Sequence, residues 1–413
     1  MENKVTLTLG YIKPYGRKNV KTFFRKTLDF SWKMGYTFYD RDNIKILGYE
    51  RNLFMERKLR TGCAYHGNRM LSHAIADMKE ISRADMDVVV HMLSHTDWER
   101  HSDVMGEIFK ASEAEGLEVW VDNWGIGGGA GDKAHFLAYH PEAHTYYGNG
   151  QMHRILTCLN APSYRQFVKD WVNKVAELGA KTVFWDEPSI PKIASPDGRI
   201  YSACTCPTCR KMFEERFGKP MPEFMDDDVI KFRNDVLVEF HDFITAYAHS
   251  VGLQSAICLM PTDIVGMNDP RAEDNDAGID LSRIFGIEHI SSVGTDPYWL
   301  GSTEGPYNPY ERIYNISKAC VDAADKFNKD SHIWIQGFTT PRGREDEIII
   351  ATEAAYDAGA RTILSWGFRG CEANNYRAEN PERSWMYTVE AMKRVKSLER
   401  DRILEENRKK YMK

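Results

Sequence analysis

Four stretches of the chain share one pattern: an amphipathic helix, a glycine, and then a short run rich in β-branched and aromatic residues. The glycines are Gly116, Gly179, Gly252 and Gly359. A glycine just past a helix end supplies the left-handed conformation that closes the helix, and a strand that follows at once is typical of alternating helix–strand units. This repetition predicts an α/β fold built on a parallel sheet.

Weaker strand signals bring the number of predicted strands to eight. Strand-like runs lie at residues 61–65, 87–92, 118–122, 182–185, 255–259, about 289–293, 332–336 and 362–366. Helical periodicity separates them at residues 69–83, 98–115, 162–178, 226–250, 308–327, 344–358 and 382–409. Eight strands alternating with helices predict a (β/α)₈ TIM barrel. An open doubly wound sheet is disfavoured because its Gly-rich phosphate turn after the first strand is missing, and Gly127-Gly128-Gly129 is interpreted as a flexible loop.

The barrel pattern begins well inside the chain. We therefore expect residues 1–60 to form an N-terminal extension that packs on a catalytic barrel spanning residues 61–413. Within the extension, Tyr36–Tyr39 and Ile44–Leu47 flank Asp42-Asn43, a pattern that predicts a β-hairpin.

Charge and hydropathy exclude two classes of partner. A net charge of −6 and a pI near 6.1 lack the basic surface that sequence-independent nucleic-acid binding needs. The sequence shows neither a basic-then-apolar N-terminus nor an apolar run of membrane-spanning length. It predicts a soluble, cytoplasmic protein that binds neither nucleic acid nor membrane. A homo-oligomer stays open, since the charged run from Lys393 is typical of a solvated helix face.

The carboxyl ends of the strands, where TIM barrels hold their active sites, combine acidic, aromatic and imidazole side chains. These segments are Tyr65-His66, His91, Ser94-His95, Asp122-Asn123-Trp124, Asp186-Glu187-Pro188, Asp296-Pro297-Tyr298-Trp299, Gln336 and Trp366–Arg369. Aromatic faces cover the apolar side of a sugar ring, while carboxylates, His and Asn bind its hydroxyls. The combination predicts a carbohydrate substrate.

Hydrolysis of a glycoside needs two carboxyl groups, one as proton donor and one as nucleophile or base. Asp186, Glu187 and Asp296 stand in suitable places, and the prolines that follow turn the chain out of the strand ladder. A lone Asp-Pro is more often an ordinary turn, so the hypothesis depends on acids at two strand ends, each beside Trp or Tyr. We predict an O-glycosyl hydrolase with Asp186 as nucleophile or base, Asp296 as its partner and Glu187 as the competing proton donor.

Substrate contacts are expected from the other polar and aromatic residues at the strand ends. They are His91, Asp122, Trp124, Tyr298, Trp299, Gln336, Trp366 and Arg369. If the Arg369 side chain faces the pocket, it would select an acidic or sulfated sugar. Alternatively, Arg369 pairs with a loop carboxylate. His91 and His95 are each more typical of hydrogen-bonded or structural residues than of metal ligands.

Two other functions are compatible with these residues. The first is a metal-dependent sugar isomerase or epimerase, whose divalent ion would be bound by His66, His91, Asp122, Glu187 and Asp296. The second is a barrel that binds carbohydrate without turning it over.

The cysteines do not form a disulfide framework in a chain of this length. Cys63, Cys258 and Cys320 lie in apolar runs and are expected to be small buried hydrophobic residues. Cys204, Cys206 and Cys209 are close enough to suit tetrahedral zinc, with Cys158 as the best fourth ligand. A structural zinc would pin the long loop after the fourth strand, and no cofactor is expected for the reaction itself. Unliganded thiols, or a redox pair of Cys206 and Cys209, are the alternatives.

At these cysteines the chain resembles the family 42 β-galactosidases. The matching segments, in the family's order, are Cys158 to Arg165, Trp185-Asp186-Glu187, Cys204 to Cys209 and Met212 to Gly218. The resemblance covers about residues 150–220. It implies structural zinc on the four cysteines and an acid/base role for Glu187.

The chain departs from that family at two positions. Asp186 replaces the family's Asn before the acid, and Gln336 replaces its nucleophilic Glu, so the family's retaining mechanism does not transfer whole. By strand count alone, Asp186 and Asp296 are similar to the Asp pair of α-galactosidase-type barrels. Glu187 would then bind a hydroxyl or assist.

Overall fold

The computed structural model describes residues 58–124, 135–261, 264, 281–300 and 308–412, and the backbone of residues 36–40 and 43–47. The loop predicted at Gly127-Gly128-Gly129 lies outside these ranges. The chain divides into two compact units, Met1–Arg57 and Lys58–Lys413.

In the first unit, strands β1 (Tyr36–Asp40) and β2 (Asn43–Leu47) pair antiparallel, with Tyr36 opposite Leu47 and Asp40 opposite Asn43. This pairing confirms the predicted hairpin. The packing of the extension on the barrel stays a prediction.

In the second unit, eight parallel strands close a barrel. They are β3 (Arg60–Tyr65), β4 (Val88–Met92), β5 (Glu118–Asp122), β8 (Thr182–Asp186), β9 (Gln254–Leu259), β10 (Ser292–Thr295), β11 (Asp330–Gln336) and β12 (Thr362–Trp366). Each strand pairs with the next, and β12 closes the ring by pairing with β3. Strands β6 (His144–Tyr146) and β7 (Met152–Thr157) form a separate antiparallel pair. The predicted (β/α)₈ TIM barrel is confirmed.

Helices separate the strands, as the alternating pattern predicts. They are α1 (Leu71–Arg83), α2 (His95–Ala114), α3 (Phe136–Tyr139), α4 (Pro162–Glu177), α5 (Pro207–Phe217), α6 (Asp227–Ser250), α7 (Pro309–Lys326), α8 (Glu347–Asp357) and α9 (Pro381–Tyr411). Three 3₁₀ turns lie at Pro141–Ala143, Leu281–Gly286 and Phe368–Cys371. No helix in the described part of the chain is long and apolar enough to cross a membrane.

The four junction glycines all adopt positive φ. The values are 81° at Gly116, 94° at Gly179, 88° at Gly252 and 102° at Gly359. A side chain would strain this conformation, which explains why each helix ends at glycine before its strand begins.

Two of the boundaries that differ from the prediction have a clear local cause. Helix α2 begins at His95, not near residue 98, because Ser94 and Asp97 form a reciprocal N-terminal cap. Strand β10 covers Ser292–Thr295, not 289–293, because Ile290 is buried in the preceding turn and Ser292 is the first residue to pair with β9.

The strands bury both faces, so the core has two layers. Side chains such as Val119 and Val183 face the helices, whereas Trp120, Phe184 and Trp334 fill the barrel interior. The rings of Phe184 and Trp334 meet at a centroid distance of 5.2 Å. The interior is therefore a packed core and not an open channel.

The interior rings predict a large cost for Phe184→Ala. Truncating a fully buried Phe leaves a cavity and should destabilise the barrel by about 3–5 kcal/mol. Urea unfolding followed by circular dichroism measures this free energy. Phe327→Ala is the matched control, because that ring is 46% exposed. Equal losses in the two variants would contradict the packed-interior account.

Candidate functional site

Four acidic residues lie at the carboxyl ends of neighbouring strands. Asp122 ends β5, Asp186 ends β8, Glu187 follows it, and Asp296 follows β10. Because β5, β8, β9 and β10 are consecutive in the barrel, these acids occupy one half of its mouth.

Tyr298 and Cys258 lie among these acids. Burial raises the pKa of both groups, and the charges of Asp296, Asp186 and Glu187 raise it further in each case. The same three carboxylates therefore lie near both Tyr298 and Cys258.

Asp122 is fully buried at this mouth. Neither of its carboxylate oxygens has a hydrogen-bond partner among the described residues. Burial raises its pKa well above the usual range, and the charges of Asp186 and Glu187 add to the shift. Asp122 is thus held towards its protonated form.

Asp186 is held where strand β8 turns into the mouth. Its backbone N–H donates to Asn123 Oδ1 at 3.2 Å, which ties the end of β8 to the end of β5. Burial raises the pKa of Asp186 well above the usual range, and the neighbouring charge of Glu187 raises it further. Asp186 is therefore suited to donate a proton.

Glu187 directly follows with φ of 41°, a left-handed conformation rare outside glycine. Its N–H donates to the carbonyl of Cys258 at 3.1 Å, which anchors the turn to β9. Such a conformation costs of order 1–3 kcal/mol and concentrates at functional sites.

An aromatic cluster formed by His66, Trp124 and Trp366 lies at the same mouth. The His66 ring lies 5.3 Å from Trp124 and 5.0 Å from Trp366, centroid to centroid, and the two indoles are 5.4 Å apart. Burial, aided by the charge of Arg69, lowers the pKa of His66 to about 4. The mouth thus pairs a neutral imidazole and two indoles with four carboxyl groups.

Two residues predicted to contact substrate lie outside this mouth. His91 faces helix α2, where its Nε2 lies 2.9 Å from Ser112 Oγ, because residues 88, 90 and 92 take the inward positions of β4. The ring of Trp299 is fully buried and donates to Glu347 at 2.8 Å. Neither His91 nor Trp299 is therefore among the proposed substrate contacts.

Gln336 organises the loop after β10. Its Oε1 accepts from the N–H groups of Trp299 at 3.1 Å and Leu300 at 2.9 Å, and its Nε2 donates to the Leu300 carbonyl at 3.2 Å. A glutamate could not donate that last bond. Gln336 therefore acts as a loop support next to Tyr298.

Arg369 pairs with carboxylates, the alternative raised by the sequence. Its guanidinium binds Glu80 on α1 at 2.6 Å and Glu372 at 3.2 Å. Because its guanidinium is already paired with two carboxylates, Arg369 gives no reason to expect an acidic or sulfated sugar.

The residues of the isomerase hypothesis do not converge on one point. Among the described residues, the groups whose ligand atoms all lie within 4.8 Å of one another are the four cysteines and the set His95, Glu99 and His135. The set His66, His91, Asp122, Glu187 and Asp296 is not among them.

The four cysteines come together as predicted. Cys158, after β7, joins Cys204, Cys206 and Cys209, and all four are buried. Its Sγ lies 3.4 Å from that of Cys209 and 3.5 Å from that of Cys206. Four thiolates on a tetrahedral zinc at about 2.3 Å would be about 3.8 Å apart, only slightly more than these separations. The donor set therefore fits a metal ion.

Nearby groups compensate negative charge on these sulfurs. Asn160 Nδ2 donates to Cys209 Sγ at 3.3 Å, and the Cys206 N–H donates to Cys204 Sγ at 3.4 Å. The guanidinium of Arg233 is fully buried near Cys204; burial lowers its pKa to about 10, and the charges of Tyr147 and Cys204 oppose that shift. A buried cation of this kind offsets the net negative charge of a four-thiolate metal site.

The remaining cysteine prediction is confirmed. Cys63, Cys258 and Cys320 are buried and free. The signal that located them was the apolar run around each one.

Comparisons with known proteins identify the fold. No known family profile and no curated protein matches the sequence, so the resemblance to the family 42 β-galactosidases is not confirmed. The catalytic domain of a β-amylase from Paenibacillus polymyxa aligns with a TM-score of 0.57 and 11% identity, over 81% of this chain and 98% of that chain. An endo-1,4-β-mannanase from Rhizomucor miehei aligns with a TM-score of 0.52 and 14% identity, over 82% and 95%.

A D-psicose 3-epimerase from Clostridium cellulolyticum H10 aligns with a TM-score of 0.43 and 10% identity, over 82% of this chain and 99% of that chain. At their identities, the likenesses to the β-amylase and the mannanase show a TIM barrel and no more.

The raised pKa of Asp122 predicts a pH-dependent stability. Above about pH 4 the unfolded carboxyl loses its proton while the folded one keeps it, so wild-type stability falls with rising pH up to the folded pKa. The slope is about 1.4 kcal/mol per pH unit for one proton. The Asp122→Asn variant has no carboxyl group to titrate at this position. Its free energy of unfolding should therefore rise relative to that of wild type as the pH rises.

Urea unfolding between pH 4 and 8 measures the difference. The exposed Asp103→Asn, on α2, is the control and should follow wild type. A pH-independent difference between Asp122→Asn and wild type would show that Asp122 is not held protonated.

Proposed function

We propose that this protein is a glycoside hydrolase that cleaves an O-glycosidic bond at the mouth of its barrel. The observation that carries the proposal is the convergence of Asp122, Asp186, Glu187 and Asp296 at one mouth that also holds indole rings. Carboxyl pairs supply glycosidic chemistry, and indole faces bind sugar rings. The fold similarity to a β-amylase and a mannanase agrees with a carbohydrate substrate.

Asp186 is the proposed general acid. A proton donor needs a raised pKa, and both burial and the charge of Glu187 raise that of Asp186. This assignment exchanges the roles expected from the sequence, where Asp186 was the nucleophile or base. Asp296, from β10, is the proposed nucleophile or base. Glu187 keeps Asp186 protonated through its charge.

Substrate contacts are assigned to groups that remain at the mouth. Asp122 is proposed to bind a sugar hydroxyl, because its oxygens have no partner in the described structure. Trp124 and Trp366 would pack against the apolar face of the sugar, beside His66. Tyr298 would contact the hydroxyls nearest Asp296.

A panel of chromogenic α- and β-glycosides, with aglycone release as the readout, tests this function. Asp186→Asn and Asp296→Asn should each lower kcat/KM by about 10²–10⁴-fold on any substrate that reacts. Glu118→Gln is the matched control, because it changes a carboxylate at the opposite end of β5 and should leave activity near wild type.

Two results would contradict the assignment. Full activity in both Asp variants, with loss only in Glu187→Gln, would make Glu187 the acid. Interconversion of free ketoses, abolished by a chelator and without bond cleavage, would replace the hydrolase by an isomerase.

We further propose that Cys158, Cys204, Cys206 and Cys209 bind a structural zinc ion. Four buried thiolates are the donor set of closed, structural zinc sites. The ion would fix the loop between β8 and α6 onto the segment after β7. It would take no part in the reaction.

Metal analysis of the purified protein tests the zinc site. Wild type should contain one equivalent of zinc that Cys209→Ser loses, with a lower thermal midpoint because the loop is no longer pinned. Cys320→Ala, a buried cysteine outside the cluster, should keep the zinc. Zinc retained in Cys209→Ser, or absent from a freshly reduced wild type, would contradict this site.

A further inference from the structure

A second group of metal-ligating side chains shares no residue with the two sites described above. His95 and Glu99 are on α2, and His135 directly precedes α3. One ligand atom from each residue lies within 4.8 Å of the others. The fold creates this group, because α2 follows β4 while α3 follows β5, and these strands are neighbours in the barrel.

Both imidazoles face the same carboxylate through the same ring nitrogen. His95 Nε2 lies 3.3 Å from Glu99 Oε1, and His135 Nε2 lies 3.0 Å from Glu99 Oε2. The two rings stack at a centroid distance of 3.9 Å with 8° between their planes. Two imidazole nitrogens and a carboxylate therefore converge on one small volume.

The first ligand is held in place before any ion arrives. His95 directly follows Ser94, whose reciprocal cap with Asp97 fixes the start of α2. Its ring packs edge-on against Phe167 at 4.8 Å. Packing and capping thus hold the first ligand, and the more exposed His135 ring would tilt out of the stack so that both nitrogens face one ion.

The other two ligands give access from solvent. The Glu99 side chain is 45% exposed and that of His135 is 37% exposed, whereas that of His95 is only 10% exposed. An ion can therefore enter past Glu99 and His135 and find a buried nitrogen behind them.

We propose that His95, Glu99 and His135 bind a divalent first-row transition-metal ion of the Zn²⁺ class. Imidazole nitrogen with a single carboxylate suits zinc, nickel, cobalt or copper, whereas magnesium and calcium prefer an all-oxygen set. Three protein ligands leave at least one position for water. The ion would join the start of α2 to the chain at α3.

This assignment departs from the sequence analysis, which favoured a hydrogen-bonded role for His95. It is independent of the proposed glycosidase function and of the four-cysteine site.

Calorimetric titration of the full-length protein with Zn²⁺, after its resident metal has been measured, tests the proposal. Wild type should bind one further equivalent. His135→Ala and Glu99→Gln should each weaken that binding by more than about 10-fold, since losing even an outer-shell partner costs that much. His101→Ala, on the same helix but outside the group, should leave it unchanged.

Cobalt gives a readout that separates this site from the cysteines. Co²⁺ bound by nitrogen and oxygen shows visible d–d bands without the intense near-ultraviolet sulfur charge-transfer band. Those bands should appear in wild type and in Cys209→Ser, and disappear in Glu99→Gln. The proposal would be overturned if wild type bound no second equivalent of zinc, or if Glu99→Gln bound it with unchanged affinity. Glu99 would then only hydrogen-bond the two imidazole rings.

Discussion

Closure of the parallel sheet is the constraint on which the rest of the structure depends. When β12 pairs with β3, every strand ends on the same rim, so residues far apart in sequence become neighbours. The interior cannot admit a ligand, because rings such as Phe184 and Trp334 fill it. The acidic and aromatic residues of the candidate site lie at this rim.

Burial then sets the electrostatics of that rim. Asp122 and Asp186 both have raised pKa values, for which loss of solvent is the main cause and neighbouring carboxylates the second. A cluster of acids in water would simply ionise and repel. Here burial favours the protonated forms of Asp122 and Asp186, and the proposed acid–base reaction needs such a proton-holding group.

Much of the fold could be predicted, because the glycine stops and apolar runs report local backbone geometry. The acids at the ends of β5, β8 and β10 were found for the same reason, since their positions follow from the strand ends. Side-chain direction was harder. Both faces of β4 are buried, so the sequence gives no sign that His91 points at α2 and away from the mouth.

Long-range pairing was beyond the sequence altogether. Gln336 is committed to the loop after β10, and Arg369 to Glu80 on α1, through contacts that only the closed barrel brings about. His135 lies next to His95 for the same reason, ahead of a helix of only four residues that carries no periodic signal. Local patterns locate elements, whereas partners depend on topology.

The central claim is that the charge of Glu187 keeps Asp186 protonated for catalysis. The pH dependence of kcat/KM on the best glycoside, compared between wild type and Glu187→Gln, tests it most directly, because the basic limb reports the acid of the free enzyme. The account predicts that this limb moves to lower pH when the charge of Glu187 is removed. A basic limb at the same pH in both enzymes would contradict it.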